Sequence, residues 1–322
     1  MFALRGIAIS FSVFFIVYSS LSLSVCLMWQ KLRTSASRQT SSSGSFADWL
    51  FAFRIAPFFG ATFITLALTL PSFLLLEPHS VDEPLGYAPL TMSLAGMLLL
   101  LIGICGAAAA WMRTSKTIAA WAGHARAMER QPDSKPSVPV LLTSASAPPL
   151  TAAGILRPQV WLSSAAQFVL TERELHCALL HEKAHIRRRD NLKKLILRLL
   201  AFPGMAPMES AWREACEISA DDAAVSCASE ALDLAAALIK LSRLAPLQPP
   251  AELSTAFLHS PAASVNARVE RLIAWQPPPR PQTNRKSLAY TLCALAAVLA
   301  TVAITYSQLL IRVHAATEWL VR

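Results

Sequence analysis

The stretch "LLHEKAHIRRRDN" at residues 179–191 sets His181 and His185 four apart, with Glu182 directly after the first. Residues four apart share one face of a helix. Both imidazoles can therefore reach a single tetrahedral metal ion such as zinc. Glu182 leans to the side. A carboxylate there can take a proton from a metal-activated water and hand it to a leaving amine. This is the chemistry of metal-assisted peptide hydrolysis. A helix with two surface histidines shows the same pattern, so a third ligand has to decide between the two readings.

A carboxylate pattern lies downstream in "WREACEISADDAAVS", residues 212–226. Glu217 and Asp221 are four apart and share a helical face. Glu217 can complete a two-histidine, one-glutamate site. Asp221 can hold a ligand histidine by its second ring N–H and fix the tautomer. An acidic solvated face reads equally well from this segment alone, because Glu214 and Asp222 are also there.

The elements that would position these groups are legible around them. Thr171 followed three residues later by Glu174 makes a capping box and starts a helix. Leu175, Leu179, Ala184 and Ile186 fall at helical spacing and can face a core. Upstream, "SVPVLLTSASAPPL" (137–150) holds short β-like runs broken by prolines, and "GILRPQVWLSS" (154–164) suggests another strand. The cations Arg187, Arg188, Arg189, Lys193, Lys194 and Arg198 read as a solvated face, with Asp190 pairing inside that run. Interleaved leucines make the run amphipathic and suited to an anionic membrane surface.

Composition places this site in a membrane protein. Of 322 residues, 54% are hydrophobic and only 15% charged, against about 25% in ordinary soluble domains. Uncharged apolar runs cover residues 7–28, 55–76, 89–112 and 287–311. Each is long enough to cross a bilayer as a helix. Pro71 in the second run needs a neighbour to satisfy the carbonyl it frees. The first run is longer than a signal-peptide core and lacks a small-residue cleavage site after it, so it reads as a retained helix.

The net charge of +9 is explained by loops rather than by nucleic acid, since no groove-reading motif accompanies it. Lys31, Arg33, Arg38 and Arg54 flank the first loop. Arg113, Lys116, Arg280, Arg285 and Lys286 bracket the third, while the second has Glu77, Asp82 and Glu83. The positive-inside rule then puts loops one and three in the cytoplasm and both termini outside. Six cysteines without a CxxC pair fit a reducing compartment for the polar portion.

The expected organisation is three transmembrane helices with their loops in residues 1–112, followed by a cytoplasmic domain at 113–275. A proline-rich linker at 276–286, a fourth span at 287–311 and a short external tail at 312–322 complete the chain. The expected fold class is an α-helical membrane protein with an α+β domain inserted between helices three and four.

"LTERELHCALLHEKAHIRRRDN" followed by "ACEISADD" closely resembles the membrane metallopeptidases of the BlaR/MecR type, a family of gluzincins. "GILRPQVWLS" resembles the strand before the zinc helix in that family, and the order of spans and polar domain is similar too. The resemblance implies that the inserted α+β domain is a zincin-like metallopeptidase. It implies one Zn2+ held by His181, His185 and Glu217, with Glu182 as general base and Asp221 as an orienting carboxylate. It also implies that "GILRPQVWLS" lies beside the substrate as an edge strand able to pair with an extended peptide. The implied setting is a bacterial cytoplasmic membrane. The implied substrate is a cytosolic protein, a transcriptional repressor or the chain itself, cleaved in signal-dependent gene regulation.

One departure is visible. Family members that sense β-lactams carry a penicillin-binding domain after the fourth span, and here no SxxK-plus-KTG set follows it. Direct acylation by a β-lactam is not expected, and the signal would enter through the spans, the outer loop, a second copy or a separate sensor. A more distant resemblance is to membrane quality-control zinc proteases, in which a His-Pro segment and an arginine follow the third ligand. "HSPAASVNARVERL" offers His259 and Arg268 as oxyanion stabilisers, at a different spacing. A non-catalytic, zinc-stabilised membrane transducer is the alternative from another class. A structural zinc site is closed by four protein ligands, and the sequence offers three good ones.

Overall fold

The computed structural model describes residues 2–36, 43–78, 86–123, 125–127, 138–143, 148–244, 252–256, 262–277, 301 and 304–319. The chain divides into two compact units. One comprises Met1–Thr34, Phe53–Leu101 and Pro279–Arg322; the other comprises Ser35–Ala52 and Ile102–Pro278.

Long apolar helices build most of the first unit, and residues 43–52 and 102–122 of these helices belong to the second. They are α1 (Phe2–Ala36), α2 (Ser43–Ile64), α3 (Leu70–Leu76) and α4 (Tyr87–Ala122), with a π-helical turn at Thr65–Thr69 joining α2 to α3. Among the described residues, three stretches are long and apolar enough to cross a membrane: Phe2–Leu32, Phe46–Leu76 and Tyr87–Ala122. They contain the first three apolar runs and extend beyond them, because helical hydrogen bonding continues into the polar flanks.

Most of the expected fourth span, 287–300 with 302 and 303, lies outside the described residues, as does most of the proline-rich linker. Residues 304–319 form a helix, so helical structure continues past residue 311. This helix answers the question raised by Pro71. A proline ring removes the amide that would bond the carbonyl four residues back, here that of Ala67. The Tyr306 hydroxyl donates to Ala67 O at 2.7 Å instead. Ser72 Oγ donates to Leu310 O at 3.0 Å beside it.

The second unit carries a five-stranded mixed sheet. Its strands are β1 (Arg126–Ala127), β2 (Val140–Thr143), β3 (Leu150–Ala153), β4 (Gln159–Ser163) and β5 (Ser254–Ala256), in the order β1-β2-β4-β3-β5. β2 and β4 run parallel, and the other pairs are antiparallel. Six helices accompany the sheet: α5 (Ser164–Val169), α6 (Glu172–Arg188), α7 (Asp190–Leu199), α8 (Ala206–Ala224), α9 (Ala228–Ser242) and α10 (Ala262–Ile273).

The strand expectation is corrected here. "GILRPQVWLS" forms β4, which is flanked by β2 and β3 and is not an edge. Val160, Trp161 and Leu162 are all buried, and burial on both faces is the pattern of an interior strand. The edge on the β3 side is β5, almost a hundred positions further along the chain.

α6 lies at the centre of this unit. Thr171 Oγ1 accepts from the Glu174 amide, and the Glu174 carboxylate accepts from the Thr171 amide, which completes the capping box. Leu175, Leu179 and Ile186 pack against a core of Leu150, Val160, Leu162, Ala178, Leu234, Leu238 and Leu241. α6 also packs on α8, α9 and β3. Cys105, Cys177, Cys216 and Cys227 are free thiols.

Candidate active site

α6 and α8 bring three donors together inside the second unit. His181 is fully buried, and His185 and Glu217 are nearly so. The two Nε2 atoms stand 3.2 Å apart. Glu217 Oε2 lies 3.5 Å from His181 Nε2, and Oε1 lies 3.7 Å from His185 Nε2. Zinc with bonds of about 2.0–2.2 Å in a tetrahedral shell separates its ligands by roughly 3.3–3.6 Å. The spacing and the nitrogen and oxygen donors both fit zinc, with these three side chains as its protein ligands.

Carboxylates hold the outer nitrogen of each ring. His181 Nδ1 is 3.0 Å from Asp221 Oδ1, and His185 Nδ1 is 2.7 Å from Asp190 Oδ2. A proton kept on each Nδ1 leaves the Nε2 lone pairs facing inward, as metal ligation requires. Burial acts to lower the His181 pKa, but hydrogen bonds to Asp221 and Glu217 outweigh it and push the value up to about 9.

Arg268 of α10 closes this cluster from the far side. Its Nε and Nη2 donate to Asp221 at 2.8 and 2.6 Å, and Nη1 donates to Glu217 Oε2 at 3.0 Å. Burial acts to raise the pKa of both carboxylates, and the surrounding cations hold both below the ordinary range, Arg268 contributing to each. Arg268, expected as an oxyanion stabiliser, here spends its donors on Asp221 and Glu217. His259 lies outside the described residues.

Glu182 is fully buried beside the histidines. Its Oε2 accepts from the Ala152 amide of β3 at 2.8 Å and from the Thr255 hydroxyl of β5 at 3.4 Å. Its Oε1 is buried with no hydrogen-bond partner among the described residues. Burial raises its pKa, opposed by the two histidines. One oxygen is therefore fixed and the other is available to a reacting proton.

A family model, described as BlaR1 peptidase M56, matches residues 87–272, more than half of the chain. The chain belongs to the BlaR1 peptidase M56 family. A comparison with curated proteins finds no match. M56 peptidases are zinc-dependent, in keeping with the donor set of this M56 chain.

Several neighbours of the M56 site escaped the sequence reading. Asp190, read as part of the basic run, makes its short contact to His185; Arg188 and Lys193 are farther, at 3.8 and 3.9 Å. The connection depends on Arg189, which caps α6 in the left-handed conformation at φ 55° and turns α7 back. Asn191 Nδ2 donates to the Ala152 and Gly154 carbonyls at 3.1 and 3.2 Å. Lys194 Nζ donates to Ser254 O at 2.6 Å. Arg188 donates to Ser219 Oγ at 2.8 Å and Lys193 to Asp48 at 2.8 Å. The basic run is thus only partly a solvated face. An Asp directly after a basic helix end was the one available signal. Thr255 offered none.

Proposed function

We propose that this M56 chain is a membrane-anchored zinc endopeptidase that cleaves a cytosolic protein, by resemblance a transcriptional repressor or the chain itself, in signal-dependent gene regulation. The observation that carries the reading is Glu182. One carboxylate oxygen is held by β3 and β5 while the other, beside His181 and His185, is buried with no partner among the described residues. A purely structural metal site has no use for such a group.

His181, His185 and Glu217 would hold the zinc. When bound there, zinc supplies Lewis acidity, polarising a scissile carbonyl and bringing the pKa of a water to about 7. Glu182 Oε1 takes the proton from the attacking water and passes it to the leaving amine. Its raised pKa favours holding that proton between the two transfers. Ala152 and Thr255 keep the carboxylate from rotating away. Asp221 and Asp190 keep each imidazole in the tautomer that ligates, and Arg268 balances the charge of Glu217 and Asp221. The polar domain lies in the cytoplasm if the positive-inside rule holds for these loops.

The test is purified full-length protein in detergent, wild type beside Glu182→Gln, measured for zinc content and for cleavage of the chain itself and of fluorescein-labelled casein. Both proteins should bind one zinc, and only the wild type should cut. A zinc-loaded wild type that cuts neither, with Glu182→Gln fully functional in cells, would replace the peptidase reading with that of a zinc-stabilised transducer.

A further inference from the structure

The support of Glu182 reaches back to α4, a helix long and apolar enough to span a membrane. The Thr255 hydroxyl faces Glu182 Oε2 at 3.4 Å and shares its one proton between that oxygen and the Ala152 carbonyl at 3.3 Å. Thr255 sits in β5, a strand of three residues that pairs only with β3 among the described residues. Three pairs are too few to hold an edge strand firmly, so something else must seat it. Three side chains do so. Thr151 of β3 donates through its Oγ1 to Thr255 O at 2.8 Å. Lys194 of α7 donates to Ser254 O. Thr114 of α4 accepts from the Leu253 amide through its Oγ1 at 3.1 Å.

The Thr114 bond is buried. Thr114 is 3% exposed and Leu253 1% exposed, so losing this bond would leave a buried amide without its partner. An outer ring of charge surrounds it. Glu252 pairs with Arg113 of α4 at 2.8 Å and with Arg198 of α7 at 2.9 Å. Both arginines are more than half exposed, and exposed pairs contribute little. α4 also touches α7 directly. A Cβ at Gly103 would overlap the Leu199 carbonyl oxygen, so helix and α7 meet backbone to backbone. α7 in turn carries Asp190 and Lys194.

We propose that Thr114 is a positioning residue for the peptidase reaction: by holding the Leu253 amide it seats β5, and through Thr255 it sets the orientation of Glu182. α4 is one continuous helix from Tyr87 to Ala122. A shift of this helix withdraws Thr114 from Leu253 and loosens β5, so the membrane helix regulates the base without touching the metal ligands. The inference rests on the peptidase reading, and its first readout does not depend on turnover.

The experiment uses full-length, zinc-loaded protein in detergent: wild type, Thr114→Val and Thr114→Ser. Valine keeps the shape and removes the acceptor, and serine restores it. Amide exchange over residues 252–256 is followed by mass spectrometry, and casein cleavage is measured alongside. Thr114→Val should accelerate exchange at Leu253 and lower kcat about 10-fold to 100-fold, the scale of a misplaced catalytic group. KM should stay within about twofold of wild type. Zinc content should be unchanged, and Thr114→Ser should return both readouts to wild type. Unchanged exchange in Thr114→Val overturns the seating role. Faster exchange with wild-type kcat overturns the link to Glu182. A wild type that fails to cleave overturns the peptidase reading itself, and the exchange data tell that failure apart.

Discussion

His185 Nδ1 lies 2.7 Å from Asp190 Oδ2, across the left-handed break at Arg189 that separates α6 from α7. Five residues of continuous helix would place these groups on different faces. The break alone lets a carboxylate so close in sequence turn back onto the second histidine. Removing such an orienting partner typically weakens metal binding about 10-fold to 100-fold. Asp190→Ala is expected to lower zinc affinity by that factor in a chelator competition, and Asp190→Asn, which can still accept the ring proton, by less.

Arg189 adopts φ 55°, a conformation that costs an ordinary L-residue about 1–2 kcal/mol and glycine almost nothing. Arg189→Gly should raise the melting temperature of the full chain slightly and leave zinc binding intact. Arg189→Val, β-branched and poorly suited to this region, should lower both.

Arg268 is 3% exposed between two buried carboxylates. Removing one partner of a buried ion pair costs about 3–5 kcal/mol, because the remaining charge is stranded. Arg268→Met should therefore destabilise the chain by that order in thermal or chemical unfolding, more than any exposed cation on α7. Excess zinc should recover part of the loss, since it neutralises Glu217.

Gly154 closes the turn between β3 and β4 at φ 100°. A Cβ there would meet the Arg157 carbonyl oxygen at 2.7 Å. Gly154→Ala combines backbone strain with a clash and should cost about 1–3 kcal/mol. Its carbonyl accepts from Asn191, so zinc affinity should fall together with stability.

Glu174 links the start of α6 to α9. Burial acts to raise its pKa, but the Lys240 ammonium at 2.7 Å and the Thr171 amide hold it below the ordinary value. A carboxylate depressed in the folded state adds stability above its unfolded pKa of about 4.3, and loses it as pH falls through the folded value. Glu174→Gln should thus be less stable than wild type at neutral pH, and the gap should close as the pH drops below about 4. Unfolding midpoints across that range check the sign. Thr171→Ala should cost about 1 kcal/mol through the lost cap.

The features legible from residue spacing are local. His181, Glu182 and His185 depend only on helical period, the Thr171–Glu174 box only on a spacing of three, and the apolar helices only on run length. Each can be read because hydrogen bonding within a helix repeats every few residues regardless of what surrounds it. The Glu217–Asp221 pattern was legible as a pair, but its separation from an acidic surface needed α8 to be laid against α6. Tertiary structure alone decided the rest. β4 is interior because β2 pairs along its other side. Thr255 reaches Glu182 because a three-residue strand returns to β3 from about a hundred positions away. Tyr306 repairs the carbonyl freed by Pro71 from a helix at the other end of the chain. Such contacts follow from packing surfaces and chain return, which leave no period in the sequence to read.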